Sequence, residues 1–123
     1  MAPFDDLQAF QKCYDLGLRV YRSTEHWPKR EMFGLSAQIR RAATSASLNI
    51  AEGVVKRGGR EFRRYLNISM GSLAEVQVIL RFAKDLEFIG REESEQLESQ
   101  RESASRLTWR LYEAISKGLS NPR

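Results

Sequence analysis

The sequence predicts an all-α protein, and the fold it favours is an antiparallel up-down-up-down four-helix bundle. Apolar residues recur at intervals of three and four in four successive segments, which is the pattern of helices with one buried face. No run of strict alternation and no hairpin turn pair indicates a strand. Glycine and proline between the segments predict short connections, so successive helices should be antiparallel. At 123 residues and 14.2 kDa, the chain should form a single domain over residues 1–123.

The first predicted helix covers about residues 6–24. Asp5 or Asp6 is suited to cap its N-terminus, because a short carboxylate side chain accepts a hydrogen bond from a free backbone N–H. The helix should end before Pro28, since proline disfavours helix at the residue that precedes it. The stripe that we expect to face the core consists of Leu7, Phe10, Tyr14, Leu18 and Tyr21.

The second predicted helix covers about residues 34–55 and ends among glycines, at Gly53 and the pair Gly58-Gly59. Residues 42–47 in its middle are nearly all small, and small side chains allow another helix to approach closely. Its core stripe consists of Leu35, Ile39, Ala42, Ala46 and Ile50.

The third and fourth predicted helices cover about residues 60–89 and 92–117. Gly90 is the expected stop of the third, and Gly118 and Pro122 should end the fourth. The third stripe consists of Phe62, Leu66, Ser69, Leu73, Val76, Leu80, Ala83 and Leu86. The fourth consists of Leu97, Ala104, Leu107, Leu111 and Ile115.

Several classes of function are excluded by the residue counts. A single cysteine, Cys13, cannot form an intramolecular disulfide, and a single histidine, His26, excludes a histidine-pair zinc site. No constellation supports nucleophilic chemistry, and Gly58-Gly59 lacks the spacing of a P-loop. We therefore expect a protein that is not an enzyme and has no cofactor or metal. Because neither a signal peptide nor a membrane-spanning stretch is evident, we expect a cytoplasmic protein without a membrane partner.

Charge is distributed unevenly, although the net charge is only +4. Residues 40–64 carry seven basic and two acidic side chains, an excess of five, whereas the rest of the chain has a net charge of −1. Residues 85–102 are the reverse, with seven acidic and two basic side chains. Such asymmetry favours an anionic partner or self-association of unlike faces. The seven cations are Arg40, Arg41, Lys56, Arg57, Arg60, Arg63 and Arg64.

These seven cations are the predicted nucleic-acid-binding residues, because each can neutralise a phosphate. Phe62 and Tyr65 lie among them and could stack on bases, although Phe62 also lies on the core stripe. Two other interpretations remain open. The cations could form ion pairs with residues 85–102 of a neighbouring subunit, or they could simply be a solvated face.

More apolar residues are present than four narrow stripes need. They are compatible with a wider core-facing stripe on the third helix or with a contact to a second subunit. The surplus residues are Val54, Val55, Tyr65, Ile68, Val78, Ile79, Phe82, Phe88 and Ile89.

One long motif is familiar. The residues from Phe33 to Ala43 read FGLSAQIRRAA, Ser45 follows, and residues 49–53 read NIAEG. Together with residues 4–7, which read FDDL, and residues 69–75, which read SMGSLAE, they resemble the four-helix-bundle proteins encoded in 23S ribosomal RNA intervening sequences. The stretch that leads into NIAEG departs from the family pattern at Leu48, where the family has a serine preceded by a proline. Because a proline bends a helix, its absence here predicts a straighter second helix.

The resemblance implies a homo-oligomer, with a ring of five favoured. The family that the chain resembles has a related branch, the accessory proteins of diversity-generating retroelements. These proteins are also basic and pentameric, and they act with a reverse transcriptase on nucleic acid. The resemblance implies a structural motif at Asn49, Glu52 and Gly53. We therefore predict a non-catalytic oligomer that binds RNA or DNA, most simply structured RNA. The alternative is a scaffold or adaptor for a protein partner, with no nucleic-acid ligand.

Overall fold

The computed structural model describes residues 1–120, except for the side chain of Ser120, and all regular structure in this part of the chain is helical. Helix α1 packs against α2 and α4, and α3 packs against the same two helices, whereas the helices of each diagonal pair are further apart. The four helices therefore form a square antiparallel bundle, and the all-helical prediction is confirmed. The helices are α1 (Gln8–Thr24), α2 (Leu35–Val55), α3 (Gly59–Asp85) and α4 (Arg91–Ser120), with a 3-10 turn at Lys29–Glu31.

The core lies between the predicted stripes of α2, α3 and α4. Its fully buried members include Ile39 and Ile50 of α2, Leu66 of α3 and Leu97 of α4. The small residues of α2 allow α3 to approach so closely that the Ser69 hydroxyl donates a hydrogen bond of 2.8 Å to the carbonyl oxygen of Ala46. These stripes behave as predicted, except that Leu86 at the end of the third is exposed.

The predicted stripe of the first helix is confirmed only at its start, where Leu7 and Phe10 are half-buried and pack against the core. Tyr14, Leu18 and Tyr21 are 52, 39 and 45% exposed. A second stripe with the same helical spacing faces the core instead. Its side chains are smaller, so α1 lies close to α2, where a β-carbon on Gly17 would be 3.9 Å from the carbonyl oxygen of Ala43. Large aromatic rings on this face would hold the two helices apart. The buried stripe consists of Ala9, Cys13, Leu16 and Val20.

The start of α1 also differs from its prediction. Leu7 occupies the N-cap position and no side chain caps the helix. The carboxylate of Asp5 instead accepts a hydrogen bond of 2.8 Å from the backbone N–H of Ala2, within the turn that precedes the helix. The carboxylate is therefore used to close that turn.

The end of α3 comes four residues earlier than predicted, at Asp85. Glu87 has a left-handed φ of 63°, its N–H donates to Lys84, and the N–H of Phe88 donates to the carbonyl oxygen of Ala83 at 2.8 Å. This is a Schellman motif, whose left-handed position is usually glycine. Gly90 is therefore not the stop.

Helix α4 continues through Gly118 to Ser120, three residues beyond the prediction. The predicted stop at Pro122 lies outside the described residues.

Two connections meet at one end of the bundle. The ring of Trp27, which follows α1, is 5.8 Å from that of Phe88, which precedes α4. The guanidinium of Arg30 also lies 5.8 Å from the Phe88 ring. Trp27 is buried, whereas its neighbour His26 is exposed. The opposite end of the bundle carries the single connection between α2 and α3.

Candidate nucleic-acid interface

Five of the predicted cations surround the connection between α2 and α3. We call Lys56, Arg57, Arg60, Arg63 and Arg64 the basic cluster. Helix α2 ends at Val55 and α3 begins at Gly59, so the chain reverses within three residues. Gly58 has a φ of 90°, a conformation that side chains other than glycine adopt at a cost. The tight turn therefore concentrates five positive charges at one end of the bundle.

Two glycines hold this turn against its neighbours. A β-carbon on Gly53 would lie 2.9 Å from the β-carbon of Tyr65 and 3.0 Å from the Phe62 ring, so only glycine allows α2 and α3 to meet here. A β-carbon on Gly59 would lie 3.3 Å from Ile115 and 3.2 Å from Leu119 of α4. Gly53, part of the predicted structural motif, thus positions the basic cluster through packing.

The rings predicted to stack on bases are engaged by the protein itself. Phe62 packs against the core. The guanidinium of Arg64 lies 4.6 Å from the centre of the Tyr65 ring, and the Lys56 ammonium lies 6.0 Å from it. Arg64 also forms an exposed ion pair of 3.3 Å with Glu61, whose hydrogen bond and charge raise the pKa of Arg64. An exposed pair of this kind adds little stability.

The other four cations of the cluster form no ion pair with the described acidic residues. Arg57 and Arg60 are exposed, and Arg63 is half-buried with its guanidinium 5.9 Å from the Tyr112 ring. Within residues 1–120, Arg64 is the one member of the basic cluster that takes part in an ion pair. Within the described residues, four positive charges at this end therefore have no acidic counterpart.

Arg40 and Arg41 lie elsewhere. Lys56 lies fifteen positions after Arg41, which places the two about 22 Å apart along the axis of α2. Arg40 donates a hydrogen bond of 2.7 Å from Nε to the Thr24 hydroxyl, and its guanidinium lies 4.8 Å from the Tyr21 ring. Arg41 is exposed beside a cavity of about 280 Å³ that Glu75 also lines. The structure thus brings together five of the seven predicted cations and separates these two.

Asn49 acts within the α2–α3 contact. Its side-chain amide donates to the carbonyl and hydroxyl oxygens of Ser45, at 2.8 and 2.9 Å. Ser45 in turn accepts a hydrogen bond of 2.9 Å from the Ser72 hydroxyl of α3. Glu52 is exposed, and no hydrogen bond joins it to Asn49 in the part of the chain that the structure describes. The motif therefore contributes to helix packing through Asn49 and Gly53.

An aromatic pair beside the cluster was not predicted. Trp109 and Tyr112 of α4 stack with their ring centres 5.4 Å apart and an interplanar angle of 14°. Trp109 is 47% exposed, and Tyr112 contacts Arg63. The available sequence signal is their spacing of three on a helix, with Arg110 between them.

The groups most suited to catalysis or metal binding are dispersed. Burial raises the pKa of the Cys13 thiol to about 11, and its sulfur lies 3.8 Å from the hydroxyl oxygen of Thr108. Over residues 1–120, no group of three or more His, Cys, Asp and Glu side chains could hold a metal ion. Among the same residues, every helix is too short or too polar to cross a membrane.

The four antiparallel helices and the exposed cations at one connection define a small helical-bundle protein with a basic end. The sequence profile of the 23S rRNA-intervening sequence protein family matches residues 5–110. The chain belongs to this family, as its motifs predicted.

The fold is shared with a solved structure. A Bacteroides thetaiotaomicron protein of unknown function, from the S23 ribosomal protein family and solved at 1.70 Å, superposes with a TM-score of 0.76 at 23% sequence identity. The match covers 85% of this chain and 97% of the other. At this identity the likeness shows the fold. No curated protein matches the sequence.

Proposed function

We propose that this protein is a non-catalytic, homo-oligomeric nucleic-acid-binding protein whose ligand is structured RNA. The observation that carries the proposal is the basic cluster, in which four of five cations have no acidic partner within residues 1–120. Each phosphate contact by such a side chain releases counterions and contributes to affinity independently of base sequence. The family name associates its members with intervening sequences of 23S rRNA, which supports RNA as the ligand class.

The test is fluorescence anisotropy with structured RNA, single-stranded DNA and duplex DNA, from about 50 to about 400 mM salt. We expect the affinity to fall linearly on a log–log scale, with RNA bound most tightly. The double variant Arg57→Glu/Arg60→Glu should weaken binding to all three ligands. It should also reduce the slope of log affinity against log salt concentration by about 0.7 to 0.9 for each phosphate that the protein no longer neutralises.

A matched control reverses the same number of charges on the far end of α3. The variant Arg81→Glu/Lys84→Glu should keep the affinity and the slope of the wild type. Equal reductions in affinity in the two double variants would mean that net charge, and not the basic cluster, governs binding. Unchanged binding by Arg57→Glu/Arg60→Glu would refute the assigned surface.

The homo-oligomer rests on an outer face formed by α1, α2 and α3. The exposed stripe of α1 adjoins α2 at the Tyr21–Arg40 contact. On the other side of α2, a groove of about 390 Å³ is lined by Gln38, Val78 and Phe82. A patch of large exposed apolar side chains marks a protein contact. The exposed members are Tyr14, Leu18, Tyr21, Leu48, Val55, Ile68, Val78 and Phe82.

A second copy of the chain is the simplest occupant of this face. The family resemblance favours a ring of five, which would repeat the basic cluster five times and raise the affinity for a long ligand by avidity. Sedimentation equilibrium should give five times the protomer mass of 14.2 kDa. The variant Phe82→Glu should lower that mass, whereas Phe33→Glu in the α1–α2 connection should not. A wild-type monomer would exclude the ring.

The same apolar face favours a second candidate function, a scaffold for a different protein. In that case Phe82→Glu should abolish capture of one stoichiometric protein that survives nuclease treatment. Arg57→Glu/Arg60→Glu should leave this capture unchanged. The absence of an anisotropy change at low salt would favour this candidate over nucleic-acid binding.

A further inference from the structure

The geometry points to a base-stacking platform: we propose that Trp109 and Tyr112 bind unpaired nucleobases beside the basic cluster. This inference rests on the proposed nucleic-acid binding and deepens it, because it assigns the unpaired segments of an RNA as the part that is recognised. Aromatic side chains can stack on any exposed base, whereas the bases of a duplex are already stacked within it.

The two rings already have the geometry of a stack. Their planes are 14° from parallel, with centres 5.4 Å apart, so a base placed on the indole would continue an existing column. Trp109 is 47% exposed, in contrast to Trp27, which is 4% exposed and belongs to the core. Trp109 thus leaves about half of a large aromatic surface in water.

The platform lies beside the cations. A β-carbon on Gly59 would lie within 3.3 Å of Ile115 and Leu119, which places the start of α3 against the last turns of α4. Arg63 of the basic cluster bridges to the platform, with its guanidinium 5.9 Å from the Tyr112 ring. A single strand could therefore set its phosphates against Arg63 and its neighbours while a base stacks on Trp109, which is the arrangement of single-strand binders.

The surroundings favour a hydrated ligand over a protein. Exposed tryptophan also occurs in protein interfaces, where an apolar surround is expected. The exposed residues nearest in sequence to Trp109 are instead charged, Arg106, Arg110 and Glu113. Large exposed apolar side chains are concentrated on α1, α2 and α3, whereas α4 exposes Trp109 and Leu119.

The experiment compares an oligouridine with an abasic oligonucleotide of the same length and charge. Trp109→Ala should weaken oligouridine binding by about 5- to 150-fold and leave abasic binding unchanged. Trp109→Phe should retain most of the oligouridine affinity. Arg57→Glu/Arg60→Glu should weaken both ligands, and Phe33→Ala, which removes an exposed ring elsewhere, should change neither. Oligouridine, but not the abasic strand, should quench the tryptophan emission of the wild type.

The possible failures are distinguishable. If Trp109→Ala binds both ligands as the wild type does while Arg57→Glu/Arg60→Glu still weakens both, the platform is refuted and the proposed function stands. If the wild type binds structured RNA at low salt but neither single strand, the platform is refuted and the proposed function stands. If it binds none of the three, both fail. If Trp109→Ala changes the sedimentation mass of a protein that remains helical, the ring belongs to a subunit interface and the platform is refuted.

Discussion

The basic cluster and the acidic stretch at residues 85–102 use their charges differently. Three carboxylates of the acidic stretch are paired with arginines of α4. The pairs are Arg91–Glu95, Arg101–Glu98 and Arg106–Glu102, at 3.1, 2.7 and 3.6 Å. In the basic cluster, one side chain of five is paired with an acidic group of residues 1–120.

The pair of Arg101 and Glu98 does more than neutralise charge. Arg101 is 7% exposed, and Glu98 also accepts a hydrogen bond of 3.0 Å from the side-chain amide of Gln77 on α3. These three residues connect α3 to α4. The comparison shows that charged side chains of similar density serve differently in the two regions. In the acidic stretch they hold two helices together, whereas in the basic cluster most of them stay exposed to solvent.

The largest expected effect comes from breaking the acidic region. Arg101→Met should lower the free energy of unfolding by about 2–4 kcal/mol, because it leaves the Glu98 carboxylate without its cation. Arg91→Met, which breaks an exposed pair, should cost at most about 1 kcal/mol. Urea denaturation measures both. Adding Glu98→Gln to Arg101→Met should recover part of the stability, and no recovery would mean that the arginine stem matters more than its charge.

A pH titration should isolate the contribution of Cys13, which lies in the core between the two charged regions. The thiol has a pKa of about 11 when folded, against an ordinary value of 9.0, because burial disfavours the thiolate. The unfolded chain therefore ionises first, so stability is intact below pH 9 and falls as the pH rises to about 11.

Over that interval the wild type should lose about 2–3 kcal/mol more than Cys13→Ala, as followed by denaturation at each pH. Parallel pH profiles of the two proteins would contradict a buried, neutral thiol.

A smaller effect is expected where the basic cluster is packed against the bundle. Gly53→Ala should destabilise the protein by about 1–3 kcal/mol, since the new methyl group would overlap Tyr65 and Phe62. Gly118→Ala meets no atom of the described residues within 4 Å and should be neutral or stabilising by up to about 1 kcal/mol. Thermal melts of the two variants provide the comparison, and equal melting temperatures would argue against a tight α2–α3 contact.

The smallest effect should come from the cations themselves. Arg57→Glu/Arg60→Glu should change the free energy of unfolding by less than about 0.5 kcal/mol, because neither side chain forms an ion pair within residues 1–120. The same denaturation assay applies. A decrease above about 1 kcal/mol would show that these charges hold the fold together, and the contrast with the acidic region would disappear.

The four helices could be predicted because apolar spacing and glycines are local signals. The inward face of α1 could not be predicted, because Tyr14 and Cys13 lie on two stripes of equal spacing. Which of the two stripes faces the core depends on how closely α2 approaches. The end of α3 could not be predicted either, because Glu87 adopts a conformation that sequence reasoning assigns to glycine.

The candidate site also has a part that could be predicted from the sequence and a part that could not. The five residues of the basic cluster lie within nine consecutive positions, so the sequence alone predicts that they lie close together. Arg40 was grouped with it although a long stretch of α2 intervenes, and Arg40 is bonded to Thr24 instead. Trp109 gave no comparable signal, because only the antiparallel return of α4 brings Tyr112 to Arg63.

The contact between Trp27 and Phe88 has a consequence for folding. It joins the connection after α1 to the connection before α4. Each of the two helical hairpins, α1 with α2 and α3 with α4, therefore packs the aromatic ring of its connection against the other hairpin. Glu87 holds its left-handed φ beside this contact, a conformation that costs about 1 kcal/mol or more and persists where the surroundings fix it. The two halves of the chain should therefore fold as one cooperative unit, and α3 with α4 alone should lack a stable reversal.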